Sequence, residues 1–94
     1  MTDLAFAWDP AKAATNLRKH GVSFDEASSV FRNPLAKILA EPTRHEGEDR
    51  AIMIGHSDRG RMLLVVFTEQ AGRPRIIGAR EASRRERREY EEHS

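Results

Sequence analysis

The chain contains no cysteine, so disulfide staples, thiolate metal sites and thiol nucleophiles are excluded. Aromatic residues are few, with one Trp, one Tyr and four Phe, which makes each of them a marked position. No apolar run approaches the roughly 18 residues of a membrane span. The start, Met1-Thr2-Asp3-Leu4, lacks the basic residues of a secretory leader, and a soluble cytoplasmic protein is expected. Ninety-four residues bury about two-thirds of the surface they expose unfolded. One compact domain over residues 1–94 is therefore expected. With 38% hydrophobic and 33% charged residues, its core is small and its polar surface large, which argues against both a membrane protein and a disordered tail.

Lysine is also scarce: 13 of the 16 basic residues are arginine. The net charge of +1 hides an asymmetry. Arginines 73, 75, 80, 84, 85, 87 and 88 face only Glu81 and Glu86, whereas Glu41 to Asp49 carries four acids against Arg44. The C-terminal third is the basic end. Arginine suits phosphate because its planar fork donates two hydrogen bonds and keeps its charge at any usable pH. A solvated, ion-paired helix is the other reading of the same residues.

Leu4 to Trp8 reads as a short strand, followed by Asp9 as cap and Pro10 at the first helical position. That helix runs to about His20, where Gly21 supplies a left-handed cap. Ser23-x-x-Glu26 opens a second helix as a capping box, with Val22 and Ala27 as its hydrophobic staple, and Asn33-Pro34 ends the pair. Ala13, Ala14 and Leu17, then Ala27, Val30 and Phe31, mark the expected buried stripes. Leu35 to Ala40 is a weak strand, and Glu41 to Asp49 is polar enough for an exposed loop. Strands are expected over Arg50 to Ser57, Arg61 to Thr68 and Pro74 to Arg80, the continuous run Met62 to Phe67 being central and covered on both faces. Ser83-x-x-Glu86 opens a final helix with no hydrophobic stripe, in which only Tyr90 can be buried and Arg85/Glu89, Arg87/Glu91 and Arg88/Glu92 form i,i+4 pairs. The order βααββββα describes an α+β fold. Its sheet is mainly antiparallel, with the two N-terminal helices packed on one face and an Arg-rich helix at the C-terminus.

Many arginines with four histidines fit cleavage of RNA by attack of its own 2′-hydroxyl on the adjacent phosphate, which needs no metal. The reaction asks for fixed cations on the transition state, a base for the 2′ proton and an acid for the leaving 5′-oxygen. Arg61, Arg80 and Arg84 are candidates for the cations, and His56 for the acid or base, the ordinary histidine pKa being about 6.5. Tyr90 can donate a proton or stack on a base. Each has a structural alternative: Arg61 as a surface charge beside a turn, Arg80 neutralising Glu46 or Glu81, His56 as an edge residue, Tyr90 packed on the sheet. His20 is expected on helix carbonyls and Trp8 in the core. His45 beside Glu46, Glu48 and Asp49 suggests a metal, but no second histidine lies at ligand spacing, so no metal or cofactor is expected.

The blocks Phe6-x-Trp8-Asp9-Pro10-x-Lys12, Asn16-x-x-Lys19-His20-Gly21-Val22-Ser23-Phe24, Glu46-Gly47-Glu48, Ile54-Gly55, Ser57-x-Arg59-Gly60-Arg61 and Arg84-Arg85-Glu86-Arg87-x-x-Tyr90-Glu91 together resemble the BrnT toxins of bacterial type II toxin–antitoxin systems, over about residues 6 to 92. The resemblance implies a RelE-like fold and a ribonuclease that stops translation. It also implies neutralisation by a BrnA-like antitoxin in a heterotetramer, with operator DNA contacted only through the antitoxin and no membrane involved. It also orders the candidates, since RelE-like enzymes place arginines on the central strands and a tyrosine on the final helix around a concave sheet face, as Arg61, Arg80, Arg84 and Tyr90 would be; with His56 these are the expected catalytic residues, and Arg59, Arg85 and Arg88 are expected on RNA. Ala7 stands where the family commonly has glutamate and Gly78 where serine is usual, so activity is expected to fall if either side chain shapes the site.

Two other readings compete. The helices around Gly21-Val22-Ser23 imitate a helix-turn-helix, but Asp25 and Glu26 would then approach DNA phosphates. A non-catalytic adaptor would use the Arg-rich helix for a protein partner alone.

Overall fold

The first helix begins where Asp9 accepts a hydrogen bond from the Ala11 amide at 2.9 Å and Pro10 occupies the first helical position. In the computed structural model, which describes residues 6–45 and 48–92, this helix, α1, spans Pro10–His20. It stops at Gly21, whose φ of 69° lets its amide reach the Leu17 carbonyl. Two residues later Ser23 caps α2 (Phe24–Ser29), which tightens into a 3-10 turn over Val30–Arg32. Four antiparallel strands follow in sequential order: β1 (Lys37–His45), β2 (Glu48–His56), β3 (Met62–Gln70) and β4 (Arg73–Glu81). The last helix, α3, spans Arg84–Glu92. No helix is long and apolar enough to cross a membrane.

The α+β order read from the sequence is the observed one, with two differences. The expected first strand is reduced to a single parallel bridge, Ala7 to Arg75, and its residues before Phe6 lie outside the described residues. The expected loop at Glu41 to Asp49 is instead strand on both sides of the hairpin, with Thr43 opposite Arg50 and His45 opposite Glu48. Ladder pairing with β2 outweighs the polar composition there, since an edge strand needs one apolar face at most. Glu46 and Gly47 lie outside the described residues.

β3 is covered on both sides, as its apolar run requires. Leu63 and Val65 point to α1 and α2 and join Val22, Phe24, Ala27, Val30, Ile76 and Ala79 in one core. Met62 and Leu64 point the other way, to Ile54 and Tyr90. Phe31 bridges Phe6 and Phe67 edge to face, and Trp8 meets Phe24 in the same geometry. Gly55 allows the close approach of the 3-10 segment to β2: a Cβ there would lie 2.8 Å from Ala36 Cβ and 3.2 Å from Val30 Cγ1.

The outer edge of β4 decides how α1 docks. Phe67 pairs with Ile76 and Val66 with Gly78, so Ile77 is an extra residue, a bulge that turns Ala79 outward along the hydrogen-bonding edge and keeps its side chain on the face of Ile76. Ala7 takes the edge at Pro74 and Ile76 through bonds of 3.0 and 2.9 Å. Asn16 takes it at Ala79: its side-chain oxygen accepts from the Ala79 amide, and its amide nitrogen donates to the carbonyls of Ala79 and Val22. Asn16 is thus the buried residue of α1, whereas Ala14 and Leu17, expected in an apolar stripe, are exposed. An edge strand asks its neighbour for hydrogen bonds rather than for apolar area. A Cβ on Gly78 would meet the Asn16 side-chain oxygen at an ordinary 3.8 Å, so serine would fit there too.

Asn16→Ala leaves the Ala79 amide and two carbonyls without these partners, and a loss of about 2–4 kcal/mol is expected. Urea unfolding with an unchanged slope checks it; a loss below about 0.5 kcal/mol would mean water replaces the side chain.

Candidate active site

The register places one group of the sequence-predicted residues together. His56 lies opposite Met62, Ile54 opposite Leu64, and Leu64 opposite Arg80, so His56 and Arg80 share the face that carries Met62 and Leu64. α3 crosses this face with Glu86 and Tyr90, one turn apart, toward the sheet. Tyr90 is 7% exposed, and its ring meets the His56 ring edge to face at 6.2 Å. Lys37 Nζ lies 5.1 Å from the centre of the same ring. The Tyr90 hydroxyl donates to the Leu35 carbonyl at 2.8 Å. His56 itself is exposed and borders an open pocket of about 360 Å³ with Arg32 and Asp58.

Arg80 is held by a two-pronged pair with Glu86 at 2.8 and 2.7 Å. Glu86 also accepts from the Ser83 amide, and Ser83 accepts from the Glu86 amide, which completes the capping box read from the sequence. The Arg80 guanidinium and these donors hold the Glu86 carboxyl down at about 2, against an ordinary 4.5, and the same pairing raises Arg80.

Arg61 lies elsewhere. It precedes Met62 and points to the α1–α2 side, where it forks onto the carboxylate of Glu26 and donates to the Gly21 carbonyl at 3.0 Å. The Glu26 side chain is only 3% exposed, and Ser57 Oγ donates to it at 2.7 Å. Arg61 holds the Glu26 carboxyl below its usual range, and Ser57 adds to this while burial opposes it. Ser57 in turn accepts from the Arg59 and Arg61 amides and so shapes the β2–β3 turn. Glu26 therefore makes only half of the expected capping box: its amide donates to Ser23, but its carboxylate goes to Arg61.

The expected convergence of Arg61, Arg80 and Arg84 on one phosphate is thus not the observed arrangement, because β-strand alternation sends Arg61 and Arg80 to opposite faces. Arg84, Arg85 and Arg88 are exposed on α3, with Arg85 reaching Glu89 at 3.4 Å, and Arg59 is exposed in the turn. Arg80 pairs with the Glu86 carboxylate rather than with that of Glu81, and Glu46, the other expected partner, lies outside the described residues. The Gly21 carbonyl, near which His20 was expected to act, is taken by Arg61. Five of the six residues of α2 are buried, which leaves no recognition helix for the helix-turn-helix alternative. Among the described residues no three His, Asp or Glu side chains group as metal ligands do. Glu26, Ser57 and Lys37 were not singled out from the sequence as site neighbours; Glu26 lies four residues before Val30 on the buried side of its helix, a signal the capping-box pattern masked.

Because the Glu86 pKa is lowered on folding, its contribution to stability is complete above pH 4.5 and is lost as pH falls toward 2. Melting temperatures between pH 2 and 5 should fall less steeply in Glu86→Gln than in the parent. Parallel curves would show that the pair is open in solution.

A family model described as the ribonuclease toxin BrnT of type II toxin–antitoxin systems matches residues 8–86. The crystal structure of the Brucella abortus ribonuclease toxin BrnT superimposes with a TM-score of 0.66 at 26% identity, covering 87% of this chain and 100% of that one. A comparison with curated proteins gave no significant match. A family match across most of the chain, joined to the same fold, means that the chain belongs to the BrnT family of type II toxin–antitoxin ribonuclease toxins.

Proposed function

We propose that this chain is a metal-independent endoribonuclease that stops translation in the cytoplasm and is neutralised by a BrnA-like antitoxin, in a heterotetramer that reaches operator DNA through the antitoxin. The observation that carries the mechanism is the shared face of His56, Arg80 and the first turn of α3. The 2′-hydroxyl attacks phosphorus and the 5′-oxygen leaves, giving a 2′,3′-cyclic phosphate and a free 5′-hydroxyl. His56, exposed at the end of β2, takes the proton from the 2′-hydroxyl and returns it to the leaving 5′-oxygen. Arg80, aimed by Glu86, and Arg84 stabilise the extra negative charge on the phosphoryl oxygens. Arg59, Arg85 and Arg88 guide the RNA backbone.

Tyr90 and Arg61 act here as positioning residues. Tyr90 supports the His56 ring while its hydroxyl is tied to Leu35. Arg61 holds Glu26, whose carboxylate accepts from the Ser57 hydroxyl in the turn that follows His56.

Cleavage of single-stranded RNA by the purified chain is expected to persist in EDTA; loss that a divalent metal restores would refute the metal-free reading. Arg80→Ala should lower kcat by about 10²–10³-fold with a smaller effect on stability. Arg61→Ala should lower the melting temperature while kcat per folded molecule holds. A fully folded Arg61→Ala that has lost kcat would move Arg61 into the reacting site.

A further inference from the structure

α1 carries a charge that its own stability does not explain. Lys12 is the third residue of the helix, in the first turn, which bears no acidic residue. A cation there opposes the helix dipole. Arg18, Lys19 and His20, in the last turn, are favourably placed by the same rule. Lys12 and Lys19 are seven residues apart, two turns along one side of the helix, and together with His20, Thr15 and Ile77 they border an open pocket of about 350 Å³ between α1 and β4. Among the described residues no acidic side chain lines the pocket, and Lys12, Lys19 and His20 enter no ion pair. This contrasts with Arg61 and Arg80, both of which are committed to carboxylates.

The two walls of the pocket are joined by hydrogen bonds. Asn16 fastens α1 to β4 from within, and the extra residue of the bulge, Ile77, supplies an apolar wall. β4 is an edge strand, so a chain leaving the pocket has only this strand to pass before it meets Arg80 and Arg84. Cations that flank an edge strand on both sides suit an extended polyanion better than a compact anion.

We propose that the α1–β4 pocket is a second RNA subsite, in which Lys12 and Lys19 hold backbone phosphate outside the cleaved linkage, with the ribose against Ile77. The inference rests on the ribonuclease reading of the other face. Occupancy at this distance from the reacting phosphate strengthens substrate binding without touching the transition state, so it acts on KM rather than kcat.

The test compares the parent with Lys12→Ala/Lys19→Ala and with the charge-keeping Lys12→Arg/Lys19→Arg. Both lysines are exposed, and alanine favours helix, so the variants should fold. Binding is read with a 12-nucleotide single-stranded RNA carrying 2′-O-methyl groups, which cannot be cleaved by 2′-hydroxyl attack. The alanine variant should lose about 1 to 1.5 from the log–log salt slope, at about 0.7 per phosphate contact, and raise KM severalfold at constant kcat. The arginine variant should restore both. An unchanged slope and KM would overturn the subsite. An unchanged slope with weakened antitoxin binding would overturn it too and give the surface to the protein partner. A parent that neither binds the oligonucleotide nor cleaves RNA would bring down the ribonuclease reading as well, whereas an active parent with an indifferent alanine variant would bring down this proposal alone.

Discussion

Glu26 imposes the constraint around which much of this molecule is arranged. A carboxylate almost wholly removed from water is tolerable only when its lone pairs find donors, and here they come from the Arg61 fork and the Ser57 hydroxyl. Meeting that demand joins α2 to the β2–β3 turn. Arg61 extends the tie to the Gly21 carbonyl, so the α1–α2 turn is fixed by the same guanidinium. Ser57, by accepting the Arg59 and Arg61 amides, sets the conformation of the turn that directly follows His56. A buried charge on one face of the sheet thus fixes the position of a titratable ring on the other.

The same economy governs how the outer helices attach. α1 buries Asn16 rather than an apolar stripe and attaches through the unpaired edge of β4. α3 attaches through one acid and one aromatic side chain a turn apart, Glu86 on Arg80 and Tyr90 over Met62 and Leu64. A small chain with a third of its residues charged has little apolar area to spend on helix docking. Directional hydrogen bonds take over that role and, being directional, also fix orientation. The remaining arginines of α3 are left facing outward.

Much of this was legible before folding. The caps at Asp9, Gly21, Ser23 and Ser83, the central apolar run from Met62 and the lone burial of Tyr90 are short-range signals, because a cap involves residues two to four apart and a periodicity only neighbours on one element. The strand character of Thr43 to His45 was not legible, since its cause is a ladder partner rather than composition. Neither was Asn16, whose partner on the sheet edge, Ala79, lies 63 residues away.

The sequence by itself determined the α+β class, the order of elements and the arginine-rich end, since these follow from local propensity and composition. The tertiary structure alone decided which arginines share a face. Arg61 and Arg80 occupy comparable places at strand ends in the sequence, and their separation depends on the β3–β4 register and on the bulge at Ile77, which reverses the alternation of every later residue in the strand. Register is a property of two strands held together, so no reading of one strand contains it.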